Sequence, residues 1–312
     1  MRRGKFVAGS DAAGALILRG TTCTVHAQTL RSLTVVTSPS DSGGEVYYAK
    51  DLGIFAKHGL DIDIISLQNG QAASAAVASG KYAIGQSNIA ALAIARQHGV
   101  PVVLIAPASM YTAQAATSAL VVRGDSPLRT PGDLVGKTSG APGVRDIGTI
   151  SIDTWVRAGG VNPSQVRFVE LSSPSLAPAL ARGTIDAGLL VEPFLSSALA
   201  DGNRVLAYTY SAIAPRFLIA AYYTLSDWLK THQADAAAFS AAIIDTAKWA
   251  NANHSKSAEI LAKYTGAQLS PRQTRPGYAD RLDAESIQPM IDAAIKDGEL
   301  DPGFTARMLL QG

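Results

Sequence analysis

Five short runs occupy the same kind of place along this 312-residue chain. Ser38-Pro39-Ser40-Asp41, Gln68-Asn69-Gly70-Gln71, Gln86-Ser87-Asn88, Ser109-Met110-Tyr111 and Gly140-Ala141-Pro142-Gly143 each follow an apolar, β-rich segment. Most precede a helical pattern. A helix start leaves backbone N–H groups without intrahelical partners, and such groups hold anionic ligand atoms. In open α/β sheets, ligands sit beyond the carboxyl ends of the strands. The candidate ligand-binding residues are therefore Ser38, Ser40, Asp41, Gly43, Asn69, Gly70, Gln71, Ser87, Asn88, Met110, Gly140 and Gly143. Glu45 partly cancels the dipole of the first of these helices, so that loop is expected to hydrogen-bond through Ser40 and Ser42. Arg145 lies in the first turn of the helix after Gly143, where a cation is slightly unfavourable. It is expected to answer a ligand's anionic group, or else a carboxylate such as Asp146. Glu192 ends a strand before Pro193, where it could accept from a ligand amine or hold a hinge.

No motif for catalysis accompanies these runs. Gly136-Lys137-Thr138 resembles the end of a phosphate loop, but that loop needs a glycine where Pro131 stands, and proline removes an N–H the phosphate would use. No G-x-G-x-x-G follows a strand and no G-x-S-x-G elbow is present. His58, His98, His232 and His254 lack metal-ligand spacing. The expectation is a protein with no catalytic residues, no metal and no cofactor.

The elements that would position the runs can be read from periodicity. Strands are expected at 33–37, 62–67, 83–86, 100–106 and 119–122, with small-residue helices between them. The Ser42-Gly43-Gly44-Glu45 spacing predicts a capping box opening a helix that runs to Gly59. The pattern restarts with strands at 137–139, 166–171, 187–191 and 205–210, and a β-like run from Phe217 to Tyr223 carries the chain back. Strands alternating with helices indicate βαβ units and parallel sheets. Ala78-Ser79-Gly80-Lys81-Tyr82-Ala83-Ile84-Gly85 echoes Ala181-Arg182-Gly183-Thr184-Ile185-Asp186-Ala187-Gly188 at a fixed offset, which suggests two similar lobes. Helices follow at 235–251, 256–264 and 284–297, and Asp301-Pro302 is expected to open a last one.

The N-terminus reads as an export signal. Arg2, Arg3 and Lys5 precede the apolar stretch Ala12–Leu18, and Val25 and Ala27 fit a small-residue cleavage site before Gln28. The paired arginines resemble a twin-arginine signal. Residues 1–27 hold four of the 27 basic and one of the 25 acidic groups, leaving 23 against 24. The remainder is nearly neutral and carries no basic stripe for nucleic acid. The longest apolar runs are too short to cross a membrane, which takes ~20 residues. Cys23, the single cysteine, falls inside the leader, which suits an oxidising compartment.

Tyr48-Ala49-Lys50-Asp51-Leu52-Gly53-Ile54-Phe55 with Gly59-Leu60, the Ala78–Gly85 segment, Pro131-Gly132-Asp133-Leu134-Val135-Gly136-Lys137 and Val191-Glu192-Pro193-Phe194 give the chain a family likeness. It resembles the periplasmic substrate-binding proteins of ABC importers for nitrate, sulfonates, taurine and thiamine-precursor pyrimidines. The resemblance implies an α/β, two-lobed periplasmic-binding-protein architecture of type II, with a ligand cleft between the lobes. Lobe one would comprise 28–122 plus 217–312, and lobe two 123–216. It implies a monomer that takes a small organic anion of the sulfonate, taurine, nitrate or carboxylate class by hinge closure. The partner would be an ABC permease, with no nucleic acid and no stable membrane insertion. The alternatives it leaves are a pyrimidine-precursor binder or a pyrimidine-synthesising enzyme on the same fold. The related enzymes use a cysteine-rich motif that this chain lacks. For a pyrimidine ring the resemblance implies stacking aromatics, and Tyr47, Tyr82 and Tyr111 could serve.

Overall fold

A computed structural model describes residues 1, 4, 29–67, 70–266 and 273–311. The export-signal reading and Asn69 lie outside the described residues, as does the side chain of Gln71. The chain first lays down β1 (Arg31–Thr37), β2 (Leu60–Ser66), β3 (Ile84–Asn88), β4 (Val102–Pro107) and β5 (Ser109–Thr112). It then crosses to β6 (Ser118–Val122), β7 (Thr138–Ala141), β8 (Arg167–Glu170), β9 (Ala187–Val191) and β10 (Arg204–Ala207). It returns through β11 (Arg216–Leu218), β12 (Ala220–Leu225) and β13 (Gly277–Tyr278).

Two five-stranded sheets result, ordered β2-β1-β3-β12-β4 and β8-β7-β9-β6-β10. They have the same plan. In each, three parallel strands are followed by one antiparallel strand that arrives from the other lobe. The echoed segments lead into β3 and β9, which hold equivalent places, so the internal likeness is structural. The expected boundary after Val122 put 118–122 in lobe one. These residues form β6, which pairs with β9 and β10 in the second sheet. The crossing strands β5 and β11 pair with each other, Tyr111 opposite Phe217, and β13 joins β5 on its other edge.

Local chemistry departs from expectation in three places. The helix after β1 is a 3-10 turn (Asp41–Gly43) followed by a short α-helix (Glu45–Asp51) capped by Gly44 without a side-chain bond. Glu45 is therefore no capping-box partner of Ser42. It is fully buried and accepts from the Tyr222 hydroxyl at 3.2 Å, and burial pushes its carboxyl well up. Gly53, at φ +65, splits off a second short helix (Ile54–Lys57), a left-handed geometry that glycine adopts without a Cβ penalty. Asp301-Pro302 forms a turn, and the last helix is only Arg307–Leu310. Lys137, in the rejected phosphate loop, pairs with Asp186 at 3.5 Å.

Lobe one is built against the long helix Gln233–Ala252. Its Phe239 is fully buried, stacked on Phe55 at 5.7 Å and edge-on to Tyr222 at 5.3 Å. The side chains on this helix thus tie the first helical segments to the returning strand β12. Truncating Phe239→Ala deletes a ring from this junction and is expected to cost roughly 3–5 kcal/mol. Urea unfolding of the variant, with an unchanged slope and a lowered midpoint, measures it.

Candidate functional site

A cavity of ≈ 510 Å³ lies between the two sheets, at the carboxyl ends of their parallel strands. Lobe one contributes Ser38, Pro39, Ser40 and Ser42 after β1, and Gln86, Ser87 and Asn88 at the end of β3. Ile219, between β11 and β12, and Ala220, the first residue of β12, form the wall on the side of the crossing strands. Lobe two contributes Pro142 after β7, Asp146, Ile147 and Gly148 at the start of the helix Ile147–Ala158, and Ser173 and Pro174 at the start of Ser173–Arg182. Leu189, Val191, Phe194 and Tyr210 add apolar surface.

The serine loop is pinned from below. Gln86 donates from Nε2 to the Ser42 carbonyl at 3.0 Å, and its Oε1 accepts from Ser38 Oγ at 3.5 Å and Thr37 Oγ1 at 3.4 Å. Ser38 and Ser40 share a hydroxyl bond of 3.0 Å. Gly43 fits because its position has no room for a side chain: a Cβ there would fall 2.0 Å from Thr37 Oγ1. Gly43 thus shapes the loop and does not line the cavity.

Four expected residues, Ser38, Ser40, Ser87 and Asn88, face the cavity. Asp41 turns away to Arg275, Nη1 to Oδ1 2.6 Å, with both side chains more than nine-tenths buried. Gln273 Nε2 donates to its other oxygen at 3.1 Å. Burial pushes the Asp41 carboxyl up to about 6, against the pull of Arg275. Glu192 also misses the main cavity. With Asp41 it lines a smaller pocket of ≈ 20 Å³. Its carboxylate accepts from Ser196 Oγ at 2.8 Å and Ser196 N at 3.2 Å, and the Glu192–Pro193 peptide is cis.

The remaining expected residues fall elsewhere. Met110 is buried in β5 between β11 and β13. Gly140 is packed inside lobe two, where a Cβ would meet Leu176 Cδ2 at 2.7 Å. Gly143 is buried in the loop after β7, beside the cavity-lining Pro142, and Gly70 opens the helix Gly70–Ala78. Arg145 points outward: its Nε donates to Glu299 Oε2 at 2.8 Å, its side chain is 67% exposed and its φ is +58. The expected tyrosines are placed elsewhere too. Tyr47 bonds Ser66 at 2.6 Å, Tyr82 carries Lys81 over its ring, and Tyr111 packs in the hinge core against Tyr210 and Phe217. Among the described residues, the aromatic side chains that line the cavity are Phe194 and Tyr210.

Asp146 was assigned at the sequence level only as a partner for Arg145. It is instead the N-cap of the helix Ile147–Ala158, 8% exposed, accepting from Gly148 N at 2.9 Å. Thr149 at the third helical position completes a capping box. The Asp-x-x-Thr spacing carried that signal. Burial pushes the Asp146 carboxyl up to about 7, with the Gly148 N–H pulling it down and Glu170 pushing it further up. Among the described residues no group of three or more His, Cys, Asp or Glu is placed to hold a metal, and no helix is long and apolar enough to cross a membrane.

Residues 43–257 match the family described as NMT1/THI5 like. Over 150 residues the chain is 30% identical to the taurine-binding periplasmic protein of Escherichia coli, covering 48% of this chain and 45% of that protein. It is 28% identical over 142 residues to the formylaminopyrimidine-binding protein of Halalkalibacterium halodurans, covering 46% and 41%. The chain thus spans less than half the length of these two curated relatives. The crystal structure of the periplasmic aliphatic sulphonate binding protein of Escherichia coli superposes with a TM-score of 0.71 at 17% identity, covering 88% of this chain and 95% of that one. That likeness carries the two-lobed periplasmic-binding-protein fold.

Three desolvated carboxyls have a shared consequence. Asp41 is held at about 6, and Asp146 and Asp153 at about 7, burial being the first cause in each. In the unfolded chain all three titrate near 3.8. Between those values the folded protein binds more protons than the unfolded chain, so stability falls as pH rises through the window. The Tm is expected to be several degrees higher at about pH 5 than at about pH 8, and the slope shallower in Asp146→Asn. Differential scanning fluorimetry across that range reads both.

Proposed function

The chain belongs to the NMT1/THI5-like family, and from that premise we propose that it is an extracytoplasmic solute-binding protein. It would enclose a small organic solute between its lobes by hinge closure and deliver it to an ABC permease. The observation that carries this reading is the ≈ 510 Å³ cavity at the strand ends of two matching sheets, walled by both lobes. A ligand that touches both walls binds the closed arrangement better than the open one. Moving that equilibrium from 1:99 to 99:1 takes ~5.5 kcal/mol. A few hydrogen bonds at ~0.5–1.5 kcal/mol each, with burial of apolar ligand surface at ~25 cal/mol per Å², reach that figure.

The names of the relatives supply the ligand candidates: taurine, aliphatic sulphonates and formylaminopyrimidine. The lining combines hydroxyl and amide groups on lobe one with apolar side chains on lobe two, which suits an organic body better than a bare inorganic ion. Binding without turnover is the reading favoured by the curated relatives, both of them named as binding proteins.

A thermal-shift panel of taurine, alkanesulfonates, aminopyrimidines, nitrate and carboxylates tests it. One or more organic members should raise Tm, since a ligand that prefers the native state stabilises it. Ser197→Trp places an indole in the cavity from an exposed position and should abolish the shift. A shift that survives this substitution sinks the cavity as the site. Arg145→Ala removes an exposed ion pair worth at most ~1 kcal/mol, so affinity in titration calorimetry should change by less than about fivefold.

A further inference from the structure

We propose that Asp146 is the specificity-determining residue of the cavity and receives an amino group of the ligand, so that the solute belongs to the class of small amino-bearing organic molecules. This rests on the cavity being the ligand site.

Three observations point the same way. The first is charge. Among the described lining residues there is one carboxyl, Asp146, and no Lys, Arg or His. The cation expected to supply a counter-charge, Arg145, is engaged outside with Glu299.

The second is that several N–H groups at the described helix starts around the cavity are already taken or missing. Asn88 Oδ1 takes the Ala91 N–H at 2.9 Å. Asp146 takes the Gly148 N–H at 2.9 Å and the N–H of Thr149. Glu192 takes the Ser196 N–H at 3.2 Å. Pro174, in the first turn of Ser173–Arg182, has no N–H to give. An anionic ligand therefore meets few free donors at these termini, and a carboxylate at one of them.

The third is the carboxyl itself. It is more than nine-tenths buried and lines the cavity. Its two backbone bonds use about half of the roughly four acceptor sites a carboxylate offers. Among the described residues, the titratable groups that face it are Glu170 on β8 and Tyr210 on the short helix Tyr210–Ile213, and neither supplies positive charge. The described lobe-one lining opposite is neutral, with Ser38, Ser40, Ser42, Gln86 and Asn88. An ammonium or an aromatic amino group fits the unfilled acceptor capacity. The serine and amide wall then meets the oxygen or ring-nitrogen atoms at the ligand's other end.

A cationic amine arriving here favours the ionised carboxylate. Its binding therefore releases a proton from Asp146 below about pH 7, and its affinity rises as pH rises through that region. A neutral hydroxyl in the same place does neither.

Isothermal titration calorimetry of the full chain with two matched pairs tests this: 2-aminoethanesulfonate against 2-hydroxyethanesulfonate, and 4-aminopyrimidine against 4-hydroxypyrimidine. The pair that binds names the source of the amino group. Within it, the amino member should bind at least about tenfold tighter, a difference of ~1.4 kcal/mol. Titrations of the sulfonate in buffers of different ionisation enthalpy at about pH 6.5 should show proton release. Asp146→Asn keeps a good N-cap residue, so the fold is retained. It should bring the two members of the pair to within about threefold and remove the proton release. Equal or tighter binding of the hydroxyl member overturns the proposal, as does an amino preference that persists in Asp146→Asn. A panel in which only solutes without an amino group bind, and Ser197→Trp abolishes that binding, also overturns it while leaving the cavity as the site.

Discussion

The antiparallel pairing of β5 with β11 is the constraint on which the rest of the structure depends. These are the two crossings between the lobes, and their register sets Tyr111 opposite Phe217. Once they are paired, the strand that leaves each lobe must enter the other sheet antiparallel to its neighbours. So β6 lies between β9 and β10, and β12 between β3 and β4. The parallel strands of both sheets then end facing the same gap. Because helices follow these strands, the helix starts converge on it. The packed rings of Tyr111, Tyr210 and Phe217 stiffen the crossing, and Tyr210 passes the position of the hinge core directly to the cavity wall.

Convergent helix starts do not by themselves make an anion site. Their effect depends on whether the N–H groups are free, and here side chains of the same segments take several of them. Desolvation then sets the acid–base character of the region. Asp41, Glu45, Asp146 and Glu192 are all buried, and burial raises every one of their carboxyls. Of these, Asp41 forms an ion pair with the buried Arg275, whose charge also pulls against the rise at Glu192. Among the described residues the cavity lining thus carries one carboxyl beside neutral hydroxyls and amides, while Arg275 lies behind the serine loop and Arg145 out on the surface.

Much of this was legible in the chain. Apolar runs bounded by Gly, Pro and Ser marked the strands, and helix–Gly–strand echoes at 78–85 and 181–188 marked the doubled lobe. The loops after β1 and β3 were found because a polar run at a strand end has few other uses. What failed has a common cause. Arg145 was judged by its position in the sequence, but a left-handed backbone at that residue accompanies an outward side chain, and its partner Glu299 is remote in sequence. Asp41 was likewise claimed by Arg275, far along the chain. Gly140 and Gly43 were read as backbone that a ligand approaches, when side chains of the protein itself fill that space. Local pattern identifies which segments reach the cleft. It does not say which side chains are already taken by partners from elsewhere.

The Asp41–Arg275 pair shows why that distinction matters for the site. A buried ion pair is weak evidence for stability, since its desolvation offsets much of its attraction. Its directional effect is stronger. Arg275 also donates to the Tyr48 hydroxyl at 2.8 Å and to Ser257 Oγ at 3.2 Å, and the Tyr278 hydroxyl donates to the Asp41 carbonyl at 3.1 Å. The turn Asp41–Gly43 is therefore held from behind by the one segment 273–278, which Arg275 in turn anchors to Tyr48 and Ser257. On its other face Gln86 grips the Ser42 carbonyl. Between these two holds the backbone of the loop has little freedom, and Ser38, Ser40 and Ser42 are presented as a fixed polar wall. A rigid wall on lobe one and, among the described lining residues, a single carboxyl on lobe two make the fit depend on the distance between the lobes. That distance is set by the crossing strands, so their pairing and the shape of the cavity are one mechanical problem.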